Sequence, residues 1–440
     1  MAPAGEKRRV LVIGGGIAGI TAAIDLADAG HPVTLVERLP SIGGRMLQLS
    51  ETFPTLDCAQ CTLTPRTVET GQHDRIRLLT YSEVVELRGE AGDFTARIRR
   101  KAGKVDWSKC TGCGACQEKC PTKVKTNPFE RGAGVKKAIY TLSPQAIPNK
   151  PVIDVEHCRY LREEKCGVCA KVCPVGAIDY TQEDSFLEEE CGAVVVATGF
   201  ELYPLSAMGE YGYGTVPDVI DGLAMERFCS ASGPTAGKIL RPSDGKEPKH
   251  VVFIQCVGSR DPENHKPYCS RVCCMYSAKH ARLYRHKVHD GRATLFYMDL
   301  RTTGKGYEEF LQQSTEEEGL VYLRGRVSRI YREGEKIVVW GTDTLSGQPI
   351  ETEADLVVLA MALVPNPEQA ELARTLGIPV DENGFFRESH YKVGSNETGK
   401  LGVFVAGCCQ AARDIADTVA HASAAASKAQ VFLSRLARAA

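Results

Sequence analysis

With 440 residues, 43% of them hydrophobic and 25% charged, the chain has the length and composition of about two or three globular domains. A net charge of −1 excludes the one-signed field that captures nucleic acid or an anionic membrane surface, and no apolar run reaches the roughly 18 residues that a spanning helix needs. The opening MAPAGEKRRVLVIGGG has too short an apolar core for an export signal, which points to the cytoplasm, and eighteen cysteines in short-spaced groups then speak for metal or redox chemistry rather than disulfides.

The first predicted element is an apolar strand, Val10 to Ile13, which enters Gly14, Gly16 and Gly19 at the spacing G-x-G-x-x-G. A helix of small and apolar residues follows, then a second strand, VTLVE, ending on Glu37. The first glycine makes the turn, the second lets a pyrophosphate approach the backbone, and the third packs helix on strand; Glu37 suits a ribose hydroxyl. A tight strand–helix turn without a ligand is the alternative. Just beyond, Arg38 and the loop Ser41-Ile42-Gly43-Gly44-Arg45 resemble the stretch that flavin oxidoreductases lay against FAD, with Arg38, Gly44 and Arg45 as candidate contacts.

Cys58 and Cys61, in LDCAQC, lie where glutathione-reductase-type enzymes keep a redox dithiol. They are read either as that dithiol, giving a stand-alone FAD-dependent disulfide reductase, or as structural or cluster-supporting cysteines. From about Val105 to Thr181 the chain carries two cysteine runs. KCTGCGACQEKCP has Cys110, Cys113, Cys116 and Cys120 at the bacterial ferredoxin spacing C-x2-C-x2-C-x3-C-P. CRYLREEKCGVCAKVCP has Cys158, Cys166, Cys169 and Cys173, with a stretched first gap and an intact ending. In two-cluster ferredoxins the fourth cysteine of each run ligates the other cluster. Cys110, Cys113, Cys116 and Cys173 are therefore assigned to one [4Fe–4S] centre, and Cys158, Cys166, Cys169 and Cys120 to the other. Zinc is the alternative, disfavoured by the repeated spacing.

GAVVVATG, Gly192 to Gly199, resembles the strand and turn that return to a flavin domain, which puts Thr198 and Gly199 at the cofactor. Near His250 a second nucleotide-binding-type domain begins: VVFIQ is a strand, ATLFYMDL another, and SRVCCMYSAKHARLYRHK the crossover helix. The glycine fingerprint that an NAD site needs after VVFIQ is replaced by CVGSRDPENHKPYCS, so that site is expected to be lost. Cys256, Cys269, Cys273 and Cys274 then either hold a third cluster or are four buried cysteines without metal. GVFVAG, Gly402 to Gly407, precedes a final helix expected to start near Asp417. Cys408 and Cys409 stand where many relatives place Asp, so Asp414, Asp417 and Thr418 become the candidate contacts beside Gly407.

Taken together, PTLDCAQC, LLTYSEV, KCTGCGACQEKCP, CVGSRD, YCSRVCCMYSAK, FYMDLRTTGKGYEEF and AGCCQAARDIADTVAHASAAA resemble the A-type subunit of heterodisulfide reductase over nearly the whole chain. The short form is also similar to flavoprotein subunits of quinone-interacting membrane-bound oxidoreductase. The resemblance implies a third [4Fe–4S] cluster at Cys256, Cys269, Cys273 and Cys274, and places Lys279 beside the flavin N5. Methanogen members have an extra N-terminal domain and a C-terminal ferredoxin module, so one electron exit is expected to be missing here. The implied fold is α/β: a thioredoxin-reductase-like flavoprotein of two dinucleotide-binding domains with an inserted α+β ferredoxin domain. The FAD domain would take 1–104, 182–248 and 371–440, the insert 105–181, and the degenerate NAD-type domain 249–370. The implied function is an FAD- and [4Fe–4S]-containing electron-transfer subunit, with bifurcation at the flavin an open branch. The implied partners are subunits like the B and C subunits of heterodisulfide reductase, an electron-donating or quinone-reactive subunit, and a second copy of the chain.

Overall fold

A computed structural model describes residues 8–125 and 127–439 of the chain. The stretch 1–7, on which the export-signal reading rests, lies outside the described residues. Two seven-stranded sheets organise the rest. In the first, β1 (Val10–Ile13) runs parallel to β2 (Val33–Glu37) on one side and to Ala193–Val196 on the other. Every side chain of β1 and of Ala193–Val196 is buried, as expected of parallel strands covered on both faces. α1 (Ile17–Asp28) covers one face together with the C-terminal helix Ile415–Ala439. Their contact is built from Ala18, Ala22 and Ala23 against Ala422, Ala425, Ala426 and Ala429, side chains small enough to let the helices close on each other and on the sheet.

A three-stranded antiparallel sheet, Ser82–Glu90, Asp93–Arg100 and Ser185–Cys191, packs on the opposite face through Phe94, Ile98 and Cys191. Ser185 pairs with Arg100, so the chain leaves the scaffold and returns to it at one rung of this ladder. Residues 101–184 loop out between those partners. The acidic run SFLEEE is this returning strand, and Glu189 alone of its three glutamates is buried, held by Arg9 at 2.9 Å and Arg77 at 2.6 Å.

In the second sheet, His250–Val257 lies between Arg292–Tyr297 and Leu356–Met361, parallel to both. The crossover helix is Cys273–Lys287, and EEFLQQSTEEEG begins within a helix, Tyr307–Glu316, that buries Tyr307, Phe310, Leu311 and Ser314. Among the described residues, no helix is long and apolar enough to cross a membrane.

Candidate functional site

The glycine turn after β1 is sterically determined. A Cβ at Gly14, whose φ is +109°, would meet the Ala197 carbonyl oxygen at 2.4 Å, and a Cβ at Gly19 would meet the Gly14 carbonyl oxygen at 1.8 Å. Gly16 and Gly199 differ: an added Cβ would find nothing nearer than 3.9 Å at Gly16 and nothing within 4 Å at Gly199. Both border a cavity of about 1180 Å³ at the N-terminus of α1, room enough for a dinucleotide. Gly14, Glu37, Arg38, Gly44 and Arg45 line the same cavity, as do Thr198, Asp414, Asp417 and Thr418. Gly19 and Gly407 lie behind this wall. A Cβ on Gly407 would press on Ala18 and Thr418, so its part is to let the C-terminal helix approach α1.

Glu37 accepts the Gly15 N–H at 2.6 Å and the Leu39 N–H at 2.8 Å, tying the glycine turn to the end of β2. Burial raises its pKa above the ordinary carboxylate value against those two hydrogen bonds. Arg38 pairs with Glu368, Arg45 with Glu201, and Asp417 with Arg271 at 2.6 Å. Asp414 Oδ1 accepts the Asp417 N–H at 2.8 Å and caps the C-terminal helix, whose N-terminus faces the cavity. Thr198 Oγ1 is buried with no hydrogen-bond partner among the described residues. An orphaned hydroxyl and the open glycines fit a polar, backbone-hugging ligand of the FAD type. Cys408 also borders the cavity, its sulfur 3.4 Å from the Arg413 carbonyl oxygen, and burial raises its thiol pKa.

At the other end of the cavity stands Lys279, 1% exposed. Its ammonium donates to the Glu51 carbonyl oxygen at 2.8 Å and pairs with Glu226, from the helix Gly222–Cys229. Glu226 also accepts from Ser50 N–H and Oγ, each at 3.0 Å, and faces His280 Nε2 at 2.7 Å. Burial opposes the Glu226 carboxylate, yet Lys279 and His280 hold its pKa far below the usual value; burial in turn lowers that of His280. Sequence reasoning found Lys279 but missed Glu226 and His280. The only available signal was the rule that a buried charge must be paired, and Glu226 sits in GLAMERFC with no motif around it.

Two further clamps hold the insert against the helix Gly222–Cys229, which borders the cavity. Phe129 of the insert lines it, Arg131 binds Asp221 through two nitrogens at 3.0 and 2.7 Å, and buried Arg227 holds Glu130 at 2.8 and 3.2 Å. Gln48, beside the cavity, donates to the Phe129 carbonyl oxygen at 2.8 Å.

The helix that carries Lys279 begins with Cys273 and Cys274. Cys273 has both Cys256 and Cys274 as interacting neighbours, so the three thiols lie close together, and its pKa is raised by them and by burial. Cys256, at φ +60° near the end of its strand, has its pKa lowered to about 7 by the Cys273 hydrogen bond and by Arg260. Cys269 stands in the preceding loop, its sulfur accepting the Arg271 N–H at 3.3 Å.

In the insert, the short helices Ala115–Lys119 and Val168–Val172 pack side by side, each opened by a left-handed glycine, Gly114 and Gly167. Cys120, Cys158, Cys166 and Cys169 surround one small cavity, and so Cys120 of the first run sits with three thiols of the second. Cys116 lies near Cys110 and Cys113, and burial pushes its thiol up to about 11. Cys173 accepts the Ala177 N–H at 3.2 Å. Tyr180, stacked on Tyr160 with ring centroids 3.9 Å apart, places its hydroxyl 3.0 Å from Cys169 Sγ. Soft donors grouped this way fit an iron–sulfur cluster. Cys58 and Cys61 are exposed and lie off the FAD-type cavity, while Cys191 and Cys229 are isolated and buried.

Known proteins share both this fold and this sequence. Residues 9–119 match the family model of FAD dependent oxidoreductases. Among solved structures, the fold resembles thioredoxin reductase of Lactococcus lactis (TM-score 0.54, 16% identity, 98% of this chain and 100% of that one). It likewise resembles T. acidophilum thioredoxin reductase (TM-score 0.53, 15% identity, 97% and 98%), and at such identities the likeness establishes the fold. The expected α/β, thioredoxin-reductase-like class is thus correct. By sequence the chain is 47% identical over 425 residues to the A-type subunit of the H(2):CoB-CoM heterodisulfide,ferredoxin reductase of Methanothermobacter marburgensis, covering 96% of this chain and 63% of that protein. It is 48% identical over 427 residues to one of the A-type iron-sulfur subunits of the CoB–CoM heterodisulfide reductase of Methanopyrus kandleri (97% and 64%). With a protein of Archaeoglobus profundus described as like the A-type heterodisulfide reductase subunit, it shares 43% over 466 residues (97% and 66%). The chain spans a little under two thirds of the length of these curated relatives, and over that shared length it belongs to the family of A-type heterodisulfide reductase subunits.

Proposed function

We propose that the chain is the FAD- and [4Fe–4S]-bearing electron-transfer subunit of a heterodisulfide-reductase-like complex. It exchanges electrons between a donor partner, its FAD, and subunits resembling the B and C subunits, with bifurcation at the flavin as the fullest form of this reading. The observation that carries it is one helix. Cys273–Lys287 starts with two of the clustered thiols and presents Lys279 to the FAD-type cavity five residues after Cys274, about 7.5 Å along the axis. A sulfur-ligated centre and a flavin would then be neighbours on a single rigid element. FAD, when bound, supplies the change between two-electron and one-electron chemistry, and the clusters carry single electrons.

The chain's own residues set the terms. The glycine turn and the capped C-terminal helix hold the dinucleotide. Lys279 offers a fixed cation at the far end, and Glu226, itself held by Ser50 and His280, orients it. Lys279, Glu226 and the twelve clustered cysteines are the groups on which function would rest, with Cys58 and Cys61 outside this route. The test is the cofactor content of protein purified without oxygen: one FAD and about twelve irons per chain, three cubanes by the ligand sets above. About eight irons would remove the cluster at Cys256, Cys269, Cys273 and Cys274. About four would undo the two-cluster insert, and a flavin-free preparation would overturn the reading as a whole.

A further inference from the structure

Cys58 and Cys61 belong to neither the cavity nor the cysteine sets around it. Their sulfurs lie 2.7 Å apart, the Cys61 thiol donating to Cys58, and both residues are exposed. The local fold explains the contact. The hairpin of β3 (Glu51–Thr52) and β4 (Asp57–Cys58) delivers Cys58 to the N-cap of α2 (Ala59–Gln72). There its sulfur accepts the Cys61 N–H at 3.2 Å, and the helix turn brings Cys61 round beside it. The two thiols are therefore unequal. Cys58 receives two hydrogen bonds at a helix N-terminus, whereas Cys61 is the donor, and its pKa is raised chiefly by that bond to Cys58.

We propose that Cys58 and Cys61 form a surface thiol–disulfide exchange site, with Cys58 as the attacking thiolate and Cys61 as the resolving thiol, acting on solvent-accessible disulfides. Cys58 attacks one sulfur of a disulfide RS–SR, forming a Cys58–SR mixed disulfide and releasing RS⁻. Cys61 then loses its proton and attacks the Cys58 sulfur, closing the Cys58–Cys61 disulfide and releasing the second RS⁻. Two protons from the dithiol complete two RSH, so the external disulfide gains the electron pair that the Cys58–Cys61 pair loses. This inference is independent of the flavin reading, because neither sulfur lines the cavity.

The tryptic peptide Met46–Arg66 contains these two cysteines and no others, which makes the test clean in a chain of eighteen. Holoprotein kept without oxygen is incubated with oxidised glutathione, quenched with acid, alkylated and mapped by mass. The parent peptide should lose two hydrogens and escape alkylation. Cys61→Ser should stop at a glutathione adduct on Cys58, and Cys58→Ser should form its adduct at least an order of magnitude more slowly. Flavin and iron content, measured on the same samples, should stay at parent level. A parent peptide that remains reduced, equal reactivity of the two variants, or iron bound through these cysteines would each overturn the proposal without touching the electron-transfer reading.

Discussion

The two sheets solve the same local problem with different chemistry. In the first, residues 14–16 separate β1 from its helix, and glycines let backbone face the cavity directly. In the second, residues 258–272 separate the strand His250–Val257 from its helix, and the intervening loop folds on itself. Arg260 N–H bonds to the Tyr268 carbonyl and Asp261 N–H to the Lys266 carbonyl, each at 3.0 Å, while a Cβ at Gly258 would strike the Tyr203 ring at 2.5 Å. Where the first turn is short and brings the open backbone of Gly16 to the cavity, the second is long, folds on its own amides and collects sulfur. The lesson is that a strand–turn–helix unit fixes where a ligand would sit, and the turn residues decide which ligand.

The sharpest way to break this comparison is to exchange the effects of the two turns. Gly19→Val would drive a side chain into the Gly14 carbonyl and should remove nearly all bound flavin, with the helix α1 displaced. Cys256→Ser should do the reverse, keeping flavin while lowering iron by about one cubane. Paired flavin and iron assays decide it, and loss of both cofactors in both variants would mean the turns are not separable. The collapsed second turn also predicts that NADH and NADPH leave the flavin oxidised in rapid-mixing absorbance traces. Fast bleaching by either would show a pyridine-nucleotide site that the comparison denies.

Next in size is the bridge between the two regions. Glu226→Gln would leave the Lys279 ammonium buried without its counter-charge, a change that costs about 3–5 kcal/mol in comparable buried pairs. A large drop in melting temperature is expected, with most of it restored in Glu226→Gln/Lys279→Met. An additive double variant would show that the pair is not coupled.

The same groups set an acid limb. The folded pKa of Glu226 lies below its ordinary 4.5, so its stabilisation is complete above about pH 4.5 and fades as pH falls toward the folded value. His280 is also depressed, from 6.5, because burial favours the neutral ring, so the unfolded chain takes up this proton first and stability declines below about pH 6.5. Thermal melts should therefore stay level from pH 8 to about pH 6.5 and fall from there to pH 4, and a rise on acidification would contradict both assignments. The smallest expected effect is in the insert. Tyr180→Phe removes a hydroxyl from Cys169, a hydrogen bond of about 1 kcal/mol, and should lower the potential of the nearby cluster by tens of millivolts in a spectroscopic titration.

What could be read beforehand was local. Gly14, Gly16 and Gly19 announce a turn because all three constraints fall within six residues, and the cysteine runs announce clusters because the ligand spacing is short. The sharing of Cys120 with Cys158, Cys166 and Cys169 followed from the same spacing rule, and those four thiols do share one cavity. Long-range pairing was illegible. Glu226 and Lys279 come from helices brought together only by the second sheet, and Arg131 meets Asp221 from opposite sides of an insert boundary. The exposure of Cys58 and Cys61 was equally hidden, because LDCAQC reads the same whether its helix faces the cavity or solvent.

The clamps around Phe129 carry a consequence for how long a cofactor stays. Gln48 belongs to the first sheet's loop, Phe129 and Arg131 to the insert, and Asp221 and Arg227 to the second region; Gln48 and Phe129 border the cavity, and the Arg131–Asp221 and Arg227–Glu130 pairs tie the insert to the second region behind them. Moving Phe129 away from the cavity would strain the Gln48 hydrogen bond and both the Arg131–Asp221 and Arg227–Glu130 grips, so the residence time of a dinucleotide bound there would follow the opening of this wall as much as the contacts the ligand makes. Loading would then be easiest before the insert settles, which ties cofactor capture to the order in which the three parts of the chain fold.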